Sequence, residues 1–75
     1  MSCTFRFVNF SRRRWYQLEL THDLLGDLVL VRRWGGLGSR LGDFSVQVHV
    51  SLAEGQADFD RERVRRLRRG YVPHP

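Results

Sequence analysis

At 75 residues, with 41% hydrophobic and 12% aromatic side chains, the chain has the size of one small domain over 1–75 and the composition of a folded globule, which excludes a disordered tail. A net charge of +5 and a pI near 11.0 make a polyanion the first partner to consider. No apolar run reaches bilayer length, and the N-terminus lacks the charged-then-apolar order of a secretion signal, so the sequence predicts a cytoplasmic protein with no membrane role.

All 13 basic residues are arginine, whose planar fork suits phosphate. The chain also has no isoleucine and a single asparagine, a bias that a G/C-rich genome produces by itself. The net charge therefore carries more weight than the choice of arginine over lysine. Cys3 cannot form an internal disulfide and reads as a small hydrophobe at the start of a strand.

In chain order, Thr4 to Phe10 is aromatic and strand-like, with Phe5 and Phe7 on one side and Arg6, Val8 and Phe10 on the other. The run Ser11-Arg-Arg-Arg14 is a short basic connection, read as a solvated loop or part of an anion-binding patch. Trp15 to Thr21 alternates cleanly, with Tyr16, Leu18 and Leu20 on one face, as a half-buried antiparallel strand does. In the connection that follows, Asp23 can bond its own backbone and Gly26-Asp27 supplies the turn. Leu28 to Trp34 is the third strand, and its nearly continuous apolar start predicts burial on both faces. Gly35, Gly36, Gly38 and Gly42 then read as a loop whose backbone takes positive φ and approaches a partner closely. The same glycines also suit a plain hairpin with Trp34 filling core.

In the fourth strand Phe44, Val46 and Val48 alternate with Ser45, Gln47 and His49. The pattern predicts an inward apolar face and a His49 exposed to solvent or at an interface. Ser51-Leu-Ala-Glu54 is a capping box that opens a helix from Leu52 to about Arg69, stopped by Gly70. At 100° per residue, Leu52, Ala53, Ala57, Phe59, Val64 and Leu67 form its apolar side, opposite Asp58, Glu62, Arg65, Arg68 and Arg69. The late arginines complement the helix dipole, which accounts for them as well as a nucleic acid does. Tyr71 returns to the sheet or packs under the helix, and Pro73 and Pro75 cap an edge. The fold class is thus α+β, an antiparallel sheet of about four strands with one C-terminal helix packed on it.

Nothing in the chain pairs a nucleophile with a base, flanks a cleft with carboxylates, or builds a Walker-type phosphate loop, so no enzyme, cofactor or metal is expected.

Taken together, Arg14-Trp-Tyr-Gln-Leu-Glu-Leu20, Asp23-Leu-Leu-Gly26, Leu30-Val-Arg-Arg-Trp-Gly35, Gly38-Ser-Arg40, Phe59-Asp-Arg61 and Arg69-Gly-Tyr71 resemble the WGR domain, over roughly Phe7 to Tyr71. This module occurs in several DNA-dependent poly(ADP-ribose) polymerases and in small bacterial proteins. The resemblance implies an antiparallel sheet with one helix and a module that holds DNA near a strand break. It implies that Trp34 packs against a terminal nucleotide while Arg33 and Arg40 contact phosphate, with Gly35, Gly38 and Arg32 beside them and Arg66 where many bacterial relatives carry lysine. In place of the third motif residue, arginine in the family, stands Gly36, and Leu41 departs from the usual small-basic-glycine pattern. Arg32, Arg33 or Arg40 is then left to supply the missing cation.

Two functions follow: a non-enzymatic module for DNA ends or nicks, or a module that docks a protein partner through the Trp-Gly-Gly loop or through Trp15 on the outer sheet face. The oligomeric state is left open.

Overall fold

A computed structural model of the protein describes residues 3–74. Five strands, β1 (Cys3–Asn9), β2 (Arg14–His22), β3 (Leu28–Gly36), β4 (Gly42–His49) and β5 (Val72–Pro73), and one helix, α1 (Leu52–Arg68), follow one another with α1 between β4 and β5. The sheet is antiparallel in the order β4-β3-β2-β1-β5. The fifth strand adds to the expected four: after Tyr71 the chain turns back along β1, pairing Val72 with Val8 and Pro73 with Phe7. Proline is tolerated there because β5 is an edge. Pro75 lies outside the described residues.

Period-two alternation in β1 and β2 works as the sequence suggests. Phe5 stands opposite Leu18 and Phe7 opposite Tyr16, and with Leu20 and Leu30 they form the face that α1 covers. Phe7, Leu18, Leu30 and Phe59 are fully enclosed. Burying a phenylalanine in this way stabilises the fold by about 1.5–3 kcal/mol. Between the second and third strands Asp23 Oδ1 accepts from the Leu25 and Asp27 N–H groups at 2.9 and 3.0 Å, as the turn chemistry requires.

The helix sits on the sheet by a different face from the one its apolar residues trace. Gly55, Asp58, Phe59 and Glu62 are buried, whereas Leu52, Val64 and Leu67 are exposed. Two contacts explain this. A Cβ at Gly55 would lie 3.0 Å from Leu28 and 3.1 Å from Leu20, so the glycine marks where the helix comes closest to the sheet. Asp58 and Glu62 meet a cation and a histidine that the sheet presents, Arg32 on β3 and His49 on β4.

β4 is likewise turned over. Its register with β3 puts His49 opposite Leu28 and Gln47 opposite Leu30, on the helix side, and Phe44, Val46 and Val48 on the open side. His49 is therefore buried, not exposed: its Nε2 lies 3.0 Å from Asp58 and its Nδ1 3.2 Å from Glu54. The capping box is half formed for the same reason. Ser51 accepts from the Glu54 N–H at 3.2 Å, while the Glu54 carboxylate is drawn to His49. The helix ends as expected, with Arg69 as C-cap and Gly70 at φ +88.

The glycine stretch after Trp34 is mostly strand. Gly35 and Gly36 belong to β3 and Gly42 to β4, and only Gly38 takes positive φ.

Candidate nucleic-acid interface

Where β2 and β3 run past the C-terminal half of α1, the structure opens a cleft of about 500 Å³. Tyr16 and Trp34, opposite one another across the two strands, form an aromatic floor with ring centroids 6.0 Å apart and planes 14° from parallel. Tyr71 meets Tyr16 edge-on at 6.1 Å. Arg66 reaches down from α1 so that its guanidinium carbon lies 4.3 Å from the Tyr16 ring centroid, close enough for a cation–π contact. Six arginines line the cleft, Arg12, Arg14, Arg32, Arg65, Arg66 and Arg69, against one carboxylate, Glu62.

Those arginines are not equivalent. Glu62 faces three of them, with Oε1 3.1 Å from Arg65 and 3.6 Å from Arg32 and with Oε2 4.0 Å from Arg66. Arg32 is also 3.2 Å from Asp58. Arg12, Arg14 and Arg69 form no ion pair among the described residues, so their charge is uncompensated at the rim. The buried Arg66 Nε has no hydrogen-bond partner among the described residues. Burial raises the Tyr16 phenol, and Glu62 pushes in the same direction against Arg66 and Arg32, so the floor stays neutral.

Buried Asn9 fastens the two rims together. Its Nδ2 donates to the Arg69 carbonyl at 3.2 Å, and its Oδ1 accepts from the Ser11 hydroxyl at 3.0 Å and the Arg12 N–H at 3.1 Å. Arg13, at φ 55, turns the hairpin so that Arg12 and Arg14 flank it.

The sequence profile of the WGR domain matches residues 1–75, the whole chain. The chain belongs to the WGR domain family. WGR domains are nucleic-acid-binding modules, not catalytic domains. No curated protein and no solved structure matches the chain significantly.

Within the WGR motif, Trp34 and Gly35 both border the cleft. Gly35 is sterically required: a Cβ there would fall 2.8 Å from the Trp15 indole nitrogen and 2.9 Å from the Leu41 carbonyl. Gly36 is under no such constraint. Its φ is not positive, and its nearest neighbours would be Ser39 Cβ at 3.6 Å and the Arg13 carbonyl at 3.9 Å. Directly across from Gly36 in the register stands Arg14.

Of the residues singled out from sequence, Trp34, Gly35, Arg32 and Arg66 come together at the cleft. Arg33 points to the opposite sheet face and pairs with Glu19 at 3.3 Å. Gly38 and Arg40 lie in the exposed turn between β3 and β4, outside the cleft. Sequence reasoning missed Asn9; it left Arg12 and Arg14 between a solvated loop and an anion-binding patch, and Arg69 between a helix-dipole complement and a nucleic-acid contact. The pairing of Arg14 with Gly36, fixed once the hairpin register is known, was the signal that could have found one of them.

Proposed function

We propose that this WGR domain is a non-enzymatic DNA-binding module that recognises ends or nicks at the arginine cleft. The observation that carries the reading is an aromatic floor, with Trp34 on it, surrounded by arginines that outnumber carboxylates six to one. Arg12, Arg14 and Arg69 hold the phosphates. A nucleotide exposed at a break packs its sugar or base against Trp34, a contact worth about 1–3 kcal/mol where bases stack on aromatic side chains. An uninterrupted duplex hides that surface, and from this follows the preference for breaks.

Docking of a protein through the Trp-Gly-Gly loop has less support. Trp34 is partly buried against the core, and Gly35 and Gly36 are paired within the sheet.

The decisive comparison is the affinity for a 5′-phosphorylated nicked duplex against that for a covalently closed circular duplex, at two salt concentrations. The wild type is expected to bind the nick more tightly, and Trp34→Ala to lose most of that preference while keeping salt-sensitive binding to both. Equal affinity for the two substrates would reduce the cleft to a general polyanion site.

A further inference from the structure

β4 closes one end of the sheet, and among the described residues its outer side has no strand beside it. An edge of this kind offers a row of backbone donors and acceptors to any passing strand, and proteins usually blunt it with cations, proline, a bulge or a covering loop. Here those devices are missing. None of the 13 arginines and neither proline falls between Gly42 and Val50. The pairing with β3 runs without a bulge from Gly42 opposite Gly35 to His49 opposite Leu28. Among the described residues, the one side-chain bond to a β4 backbone group is from the Phe44 N–H to Asp43 Oδ1, at 2.8 Å. The reversed strand also leaves Phe44, Val46 and Val48 in a line on the open face, 63%, 53% and 60% exposed.

We propose that this edge pairs with β4 of a second copy of the chain, antiparallel and centred on Val46. A nucleic acid has nothing to hold on a strand without arginine. A second copy does, and the strand's sequence is complementary to itself about that centre. Val46 meets Val46, Phe44 meets Val48, and Ser45 meets Gln47. Asp43, the strand's one acid, falls opposite His49, its one histidine, so no like charges oppose each other. This centre uses every residue from Asp43 to His49. The two-fold axis stands perpendicular to the sheet, as a closed isologous dimer requires. A ten-stranded sheet results, with both helices and both arginine clefts on the same side. Pairing over the span from Asp43 to His49, within the eight-residue strand, makes a small interface, so association in the micromolar range is expected.

The proposal does not depend on the nucleic-acid reading, because β4 contributes only Ser45 to the cleft. Sedimentation equilibrium across the micromolar range tests it without DNA. The mass is expected to rise from 8.9 kDa toward twice that value as concentration increases. Val46→Lys, at a position more than half exposed, is expected to hold the monomer mass with an unchanged circular dichroism spectrum. A second variant, Val46→Cys with Cys3→Ser, is expected to form an intermolecular disulfide on mild oxidation, since residues directly opposite in an antiparallel pair stand about 4.5–5.5 Å apart at Cα, within disulfide reach. A chain that remains monomeric throughout, a dimer that survives Val46→Lys, or failure of the cysteine variant to crosslink overturns the proposal.

Discussion

Arg32→Leu is expected to lower the unfolding free energy by about 2–3 kcal/mol, because it takes from the buried Asp58 and Glu62 the one cation that spans both. Arg32 lies between Asp58 at 3.2 Å and Glu62 at 3.6 Å, and all three side chains are largely enclosed. His49, on the far side of Asp58, and Arg61, 3.5 Å from its Oδ1, are further partners but do not replace the guanidinium that spans both acids. For a domain of this size the loss corresponds to a melting temperature lower by on the order of 15 °C. Adding Asp58→Leu should cost less than the two single changes summed, since the second removes a charge that the first has already deprived of its nearest guanidinium. Thermal melts of the four proteins in the cycle check this. An Arg32→Leu protein that melts with the wild type would mean that the network contributes nothing to docking the helix. Arg32 chiefly holds α1 on the sheet, and in the proposed function phosphate contact falls to the arginines without internal partners among the described residues.

Reversing the charge of those arginines should have the largest effect on binding. Arg12→Glu, Arg14→Glu and Arg69→Glu together are expected to reduce affinity for DNA at least a hundredfold at low salt. They are also expected to flatten the slope of log affinity against log salt by about two to three units, near 0.9 for each phosphate contact removed. All three side chains are exposed and lack ion pairs among the described residues, so the variant should melt close to the wild type. The converse variant is Gly36→Arg. The space beside Gly36 accepts a side chain, and the new cation would join Arg14 across the strand, so tighter binding is expected. Fluorescence anisotropy titrations at several salt concentrations measure both. A charge-reversed protein that keeps its affinity and slope would place the DNA elsewhere on the molecule.

The first four strands, the turn at Asp23 and the helix with its stop at Gly70 could be read from the sequence because local chemistry fixes them: alternation, a side chain that bonds its own backbone, a glycine at positive φ. The faces of β4 and α1 could not. Sending apolar residues inward fails for both: β4 turns the other way, and α1 buries only Phe59 of its apolar side, beside Gly55, Asp58 and Glu62. His49, Asp58, Glu62 and Arg32 satisfy one another across two strands and a helix, and partners so far apart in the chain leave no periodic trace. Trp34 and Arg66, singled out through the family resemblance, both border the cleft. Asn9 was not singled out, because a lone asparagine at a strand end carries no signal until the Arg69 carbonyl is known to lie beside it.

That asparagine bears on how the cleft meets its ligand. Its amide ties the β1–β2 hairpin to the last turn of the helix, and the Arg13 carbonyl accepts from the Leu37 N–H at 2.8 Å, linking the same hairpin to the next. The backbone carrying Arg12, Arg14 and Arg69 is thereby set before anything binds, and no segment has to fold over the ligand. Little conformational entropy is lost at the encounter beyond that of the arginine side chains themselves. In the proposed function, recognition of this kind would be fast and reversible, as suits a module that samples many sites and lingers only where a nucleotide is free to stack.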